Sequence, residues 1–208
     1  MSEVKSPRRR RATQTRSKAT VGKILDATTG LIVERGAQGV TMSEIAKRAD
    51  LVIGSLYQYF TDKSAIYRAI LIQHSAEARA VLHHYVSGVT SLEELTESLS
   101  LSFDAYFELL QKDRLIIGLW SIVQTDPELQ ALDLEDTLLN ARYVASVAAP
   151  MLPGVDMSRL VATCFILIQF SLYAGHLARN MPSEIAQEFP AAYKFMLQDS
   201  IASLRQAA

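Results

Sequence analysis

The stretch that decides the fold runs Val40-Thr41-Met42-Ser43-Glu44-Ile45-Ala46-Lys47-Arg48-Ala49-Asp50-Leu51-Val52-Ile53-Gly54-Ser55-Leu56-Tyr57-Gln58-Tyr59-Phe60-Thr61-Asp62-Lys63. Thr41 and Glu44 have capping-box spacing: the Thr hydroxyl can accept from the backbone N–H near Glu44 while the carboxylate reaches back. A short helix starts there, carries Ile45, Ala46 and Ala49 on one face, and breaks near Asp50. A second short helix follows from Ile53 to Phe60, and Thr61 or Asp62 caps a longer one. Two short helices joined by a turn of about three or four residues form a helix-turn-helix, whose second helix enters the DNA major groove.

The rest of the chain agrees with a helical reading. Its 208 residues are enough to bury a core without staples. Hydrophobic residues make up 49%, charged residues 21%, and there are only 9 Gly and 6 Pro, which excludes a disordered or collagen-like chain. The single Cys164 cannot form an internal disulfide, and no Cys/His set has zinc-site spacing, so a reducing compartment is expected. Met1 to Arg16 is basic with no apolar stretch behind it and does not read as a signal peptide. Leu160 to Gly175 is the most apolar segment; it is too short to span a bilayer comfortably and carries Thr163, Gln169 and Ser171, so no membrane span is expected.

The net charge of −1 hides a division. Residues 1–68 hold 13 Lys/Arg against 6 Asp/Glu, a net of +7; residues 69–208 hold 8 against 16, a net of −8. A basic end joined to an acidic body is the footprint of polyanion binding, or else a solvated basic tail. The periodicity places a basic arm over residues 1–17, then a helix through Ile24, Leu25, Leu31 and Ile32 that stops at Arg35-Gly36. Beyond Lys63 it places helices to near Gly88, from Ser91 to about Leu110, from about Arg114 to Gln124, and from Asp126-Pro127 to about Ala149, with an irregularity near Asp133. Asp156 caps a helix to about Asn180 that is apolar nearly all round, and the last helix follows Pro190.

Ile24-Leu25-Asp26-Ala27, Gly36, Val40 to Ala49 and Gly54 to Lys63 together resemble the DNA-binding domain of tetracycline-repressor-type (TetR family) regulators over residues 20–68. The resemblance implies an all-α protein: a flexible basic arm (1–17), a three-helix helix-turn-helix DNA-binding domain (18–68), and a helical ligand-binding and dimerisation domain (69–208). It further implies a bacterial cytoplasmic protein, nucleoid-associated when DNA-bound. Two positions depart from the family pattern. Asp50-Leu51 stands where Gly-Val is usual, and Asp can adopt the left-handed conformation at modest cost. Val52-Ile53 stands where polar residues are common, so no side-chain cap is available and any base contact would be apolar, as with a thymine methyl.

The candidate DNA-binding residues are Thr41, Val52, Ile53, Gly54, Ser55, Tyr57, Tyr59 and Lys63. Thr41 can offer its hydroxyl and nearby N–H groups to a phosphate, or act as a plain cap. Gly54 lets backbone approach the duplex, and Ser55 can reach a phosphate or base edge. Tyr57 and Tyr59 read from the residues alone as core packing; the resemblance implies DNA contact for both. Lys63 opposes the dipole at the start of its helix, which a nearby phosphate would explain. Arg8, Arg9, Arg10 and Arg11 form either a solvated tail or an arm along the DNA backbone or minor groove.

For the acidic half, the resemblance implies homodimerisation through the last two long helices, about 157–180 and 190–205, and an unknown small-molecule effector. Candidate pocket residues are Phe103, Tyr106, Phe107, Trp120, Gln124, Tyr143, Phe165, Gln169 and Tyr173; most aromatic residues here also fit an ordinary core. Phe165, Gln169 and Tyr173 recur every four residues and can line one wall. With no cluster of positive charge on these helices, a largely apolar or aromatic effector is expected over a phosphorylated one. No cofactor or metal is expected, and no nucleophile elbow, phosphate-cradling loop or metal-ligand pair argues for an enzyme. His83 and His84 are adjacent and diverge on a helix. The expected function is a ligand-responsive repressor bound to a palindromic double-stranded operator; the alternative is a DNA-binding regulator with no small-molecule effector, either partner-controlled or activating.

Overall fold

Helix starts in this chain fall where a side chain can accept from otherwise unpaired N–H groups. Asp62 Oδ1 accepts from Ala65 N at 2.8 Å, Asp126 Oδ1 from Glu128 N at 3.0 Å, and Asp156 Oδ1 from Ser158 N at 2.8 Å. Ser91 Oγ accepts from Glu94 N at 3.1 Å, but the returning Glu94 carboxylate meets Thr90, one residue ahead of the expected partner, at N and Oγ1. A computed structural model describes residues 7–206, with side chains from Arg16 onward. Its helices are α1 (Pro7–Arg35), α2 (Met42–Arg48), α3 (Ile53–Tyr57), α4 (Lys63–Val86), α5 (Leu92–Lys112), α6 (Arg114–Val123), α7 (Pro127–Ala148), α8 (Met157–Ala178), α9 (Ser183–Ala186) and α10 (Phe189–Gln206). Among the described residues there is no strand, and the all-α expectation is met.

Four details differ from the sequence reading. Helical backbone begins at Pro7, within the segment assigned to the arm, because Pro suits a first helical position and Arg and Ala propagate helix well. The side chains of Arg8 to Arg11 lie outside the described residues. The second helix of the motif ends at Tyr57, three residues early: Gln58 N and Tyr59 N bond to Ser55 O and Leu56 O, tightening its end into i→i+3 turns. No irregularity interrupts α7 at Asp133. Finally, α8 has 22 residues and is long and apolar enough to cross a membrane, so length does not argue against a span. What argues against one is its position: α8 packs on α5, α7 and α10, with Gln169 hydrogen-bonded to Thr137.

The chain divides into two compact units. The first runs to Gln73 and includes Gly118–Ile122; the second comprises His74–Ile117 and Val123–Ala208. The division falls inside α4, a few residues past the boundary expected at 68. In the first unit Ile24, Ile32, Ile45, Leu56 and Ile66 are fully buried, and the Tyr67 hydroxyl donates to Ala37 O at 2.6 Å. Burial pushes the Tyr67 phenol up to about 12. Gly118 packs so tightly on α1 that a Cβ there would stand 2.4 Å from Ile32 Cγ2. In the second unit α7 and α8 pack side by side, and α5 and α10 join α8. One part of its core gathers Val86, Leu95, Ala145, Leu160 and Leu204; another gathers Phe103, Leu167, Tyr193 and Leu197. Gly175 is again a close seam, 2.3 Å from Leu110 Cδ1 for an added Cβ.

Candidate nucleic-acid interface

Local hydrogen bonds set the two helices of the motif. Thr41 Oγ1 accepts from Glu44 N at 3.3 Å, and Glu44 Oε2 accepts from Thr41 N at 3.1 Å and from Thr41 Oγ1 at 2.8 Å. The capping box is complete, and Arg35 Nη1 donates to the other Glu44 oxygen at 2.5 Å. Hydrogen bonds from Thr41, with Arg35 nearby, hold the Glu44 carboxyl below its usual range. At the far end of α2, Leu51 N bonds to Ala46 O at 2.9 Å and Asp50 N to Lys47 O at 3.3 Å, the paired bonds of a Schellman motif. That motif requires a left-handed residue, and Asp50 supplies it at φ 57°. Val52 caps α3 through its backbone only, as its side chain must.

This turn leaves α3 with one buried side chain, Leu56, which anchors it to the core. Its remaining surface is outward: Val52 is 73% exposed, Tyr57 52%, and Ile53 and Tyr59 are also exposed. Both tyrosines therefore point away from the core, contrary to the packing reading. Gly54 faces open space, with nothing within 4 Å of an added Cβ, and Ser55 is half-buried beside it. Lys63 opens α4, with Nζ 5.6 Å from the Tyr67 ring centroid. Apart from Thr41, which caps the start of α2, the predicted residues lie on α3 and the turns at either end of it.

Two of the basic residues counted in this half are engaged within it. Arg48 forms a forked pair with Glu34, Nη1 and Nη2 each 2.6 Å from a carboxylate oxygen, which holds the Glu34 carboxyl low. The guanidinium lies across Gly30, where a Cβ would come within 2.8 Å of Arg48 Nη2. Sequence reasoning missed this clamp of α2 on α1; a mid-helix glycine was its trace.

The candidate effector residues do not gather in one place. Phe103 is fully buried, stacked on Tyr193 at 3.9 Å and near Phe107 at 5.5 Å. Trp120 belongs to the first unit. Gln124 is exposed, its carbonyl accepting from Gln130 Nε2 at 3.0 Å. Phe165 helps line an open groove of about 550 Å³ with Leu138, Arg142, Met157, Val161 and Ile166. Gln169 turns inward to Thr137 Oγ1 at 3.1 Å, and Tyr173 is exposed. The three expected wall residues separate because a spacing of four advances about 40° per step on a helix of 3.6 residues per turn. Tyr106 and Tyr143 instead adjoin polar residues of α4 and α7. The Tyr143 ring stacks on His83 at 3.7 Å, and burial with Asp133 and Asp136 raises the Tyr106 phenol.

The profile for bacterial regulatory proteins of the tetR family matches residues 24–70, and the tetracyclin repressor-like C-terminal domain matches residues 93–203. The HTH-type transcriptional activator FasR of Mycolicibacterium smegmatis is 31% identical over 96 residues, which span 44% of this chain and 41% of FasR. The repressor KstR of Rhodococcus jostii is 27% identical over 146 residues, 60% of this chain and 67% of KstR. The structure of SmeT, repressor of a Stenotrophomonas maltophilia multidrug efflux pump, has the same fold: TM-score 0.66 at 20% identity, covering 90% of this chain and 91% of SmeT. The family and these relatives are transcriptional regulators rather than enzymes. With one profile over its basic motif and a second over half its length, the chain belongs to the TetR family of bacterial transcriptional regulators.

Proposed function

We propose that this regulator binds a two-fold symmetric operator as a cytoplasmic homodimer, with α3 of each protomer in a major groove, and that a small effector bound in the acidic unit releases it. The observation that carries the DNA reading is the surface of α3. One side chain anchors the helix while Val52, Ile53, Tyr57 and Tyr59 stand exposed within the basic half of the chain. Exposed apolar and aromatic groups of this kind fit thymine methyls and sugar edges, and Gly54 lets backbone come close. Thr41 at the start of α2 and Lys63 at the start of α4 serve as phosphate contacts, and the Arg8–Arg11 run supplies further positive charge.

Dimerisation is supported by α8 and α10. On α8, Ile166, Phe170, Tyr173 and Leu177 are all exposed at spacings of four, three and four, a stripe separate from the buried Leu160, Leu167 and Ala178. On α10, Phe195 is 71% exposed and Met196 is exposed beside it. A second copy would cover both. The effector reading rests on α4, a continuous helix that begins with Lys63 and carries His74, Arg79 and His83 in the acidic unit, so a shift there moves the frame of the DNA-contacting turn. Selection from a random-sequence DNA library tests the function: the protein should enrich an inverted repeat with half-sites about one or two helical turns apart. Failure to enrich any sequence contradicts it.

A further inference from the structure

The acidic unit buries polar groups that its packing does not require. Asp133, Asp136, Thr137 and Asn140 share one face of α7; Thr137 and Asn140 are buried and the two aspartates half-buried. Facing groups come from two other helices: His74, Arg79 and His83 from α4, and Tyr106 from α5. Asp136 is engaged twice, accepting from Arg79 Nη2 and, at 3.1 Å, from Asn140 Nδ2. Several atoms around it remain unmatched. Asn140 Oδ1, His74 Nε2, His83 Nε2 and Arg79 Nε are buried without a hydrogen-bond partner, and the half-buried Asp133 carboxylate forms no ion pair with a described residue. Interiors rarely tolerate such groups unless something else meets them.

The charges select what that is. Arg79 is matched by Asp136, which leaves Asp133 as an uncompensated carboxylate; Asp113 and Glu77 add negative charge around His74. Burial keeps His74 neutral, with a ring nitrogen able to accept. The unmatched acceptors Asp133 and Asn140 Oδ1 stand on one helical face, close enough for Asp133 to act on the Tyr106 phenol, and the same helix carries Tyr143, which stacks on His83. We propose that this cluster is the polar end of the effector site and takes a positively charged nitrogen on an otherwise apolar, aromatic-compatible molecule, with Asp133 as counter-ion and Asn140 and Tyr106 as further acceptors. The assignment rests on the effector reading above and narrows it: an anion would have to approach Asp133 and Asp136, and a neutral molecule would leave Asp133 uncompensated. Because His74 and Arg79 sit on α4, occupation of the cluster acts on the helix that starts at Lys63.

Calorimetry on the full-length protein at pH 7.5 with charge-matched probe trios tests this. The trios are an arylmethylamine, the arylmethanol and the arylcarboxylate, each with phenyl, naphthyl and biphenyl bodies. In at least one trio the amine should bind ten-fold or more tightly than its two partners. Asp133→Asn should remove that preference while leaving the alcohol's affinity unchanged, and Asp133→Ser carries the same expectation if the first variant fails to fold. A carboxylate or alcohol that binds as well as the amine, a preference that survives both substitutions, or binding by no probe overturns the assignment. The effector reading is scored separately, by release of fluorescent operator DNA. A carboxylate that releases DNA sinks the counter-ion assignment but keeps an effector-controlled regulator; an amine that binds through Asp133 without changing DNA affinity does the reverse.

Discussion

In the N-terminal unit, polar side chains such as Thr41 with Glu44 and Arg48 with Glu34 stand at helix ends or pair across the surface, while Val52, Ile53, Tyr57 and Tyr59 around α3 face outward and Leu56 alone anchors it. In the acidic unit the order is reversed: a row of polar groups lies along the inward face of α7, while α8 exposes Phe170 and Tyr173 and α10 exposes Phe195. Each inversion is costly for a chain that only folds, and the proposed partners would offset that cost. DNA would cover the first, a second protomer the exposed stripe of the acidic unit, and an effector its interior. The difference teaches that stability and function separate by position in one unit and coincide in the other.

Ile53→Asp would break the comparison most severely. It places a negative charge on an exposed apolar position of α3 and should weaken operator binding by about 100-fold or more, through repulsion from phosphates and loss of apolar contact. The melting temperature should stay within about a degree, since surface substitutions rarely cost more. A large loss of stability instead would place Ile53 in the core.

The two glycine seams come next, one in each unit. Gly118→Val and Gly175→Val drive branched atoms into buried Ile32 and Leu110, and each should cost about 2–3 kcal/mol by overpacking. Thermal denaturation should show losses of roughly 5–10 °C for either. Retained stability in one variant would mean that its seam is loose.

Asp133→Asn sharpens the contrast. Burial, with Asp136 beside it, pushes the Asp133 carboxyl from 3.8 up to about 6, so the folded state binds a proton that the unfolded chain releases earlier. The stability linked to this group is full below the ordinary carboxylate range and is lost as pH rises through about 6. At pH 7.5 the substitution should therefore raise stability by about 1 kcal/mol, after allowing for partial solvent screening, or roughly 2–4 °C. Near pH 3.5 the difference should vanish. A destabilised variant at pH 7.5 would show that the carboxylate is matched in the free protein.

How much of this was legible depended on sequence separation. The capping box at Thr41, the left-handed Asp50 and the absence of a cap at Val52 are decided by neighbours within a few residues, and each stands as expected. The α8 stripe was legible as all-round apolarity, although which face is exposed needed the packing of α5, α7 and α10. The Arg48–Glu34 clamp spans 14 residues and the Arg79–Asp136 pair 57, and no local pattern joins such positions. For that reason the pocket residues chosen as aromatics scattered, with Phe103 absorbed by the core and Trp120 in the other unit. In sequence the polar row on α7 shows only as an expected irregularity near Asp133, because spacing alone does not tell a buried polar face from a solvated one.

The smallest effect concerns Lys63. Lys63→Ala should reduce the slope of log affinity against log salt by roughly 1, with little change in stability. An unchanged slope would remove it from the phosphate contacts.

The central claim is that the α3 surface reads DNA sequence. Fluorescence anisotropy at two salt concentrations, with the selected inverted repeat and a scrambled duplex of equal length, tests it most directly. Binding to the repeat should be about three orders of magnitude tighter than to the scramble and should weaken as salt rises. Equal, weak binding to both duplexes would contradict it.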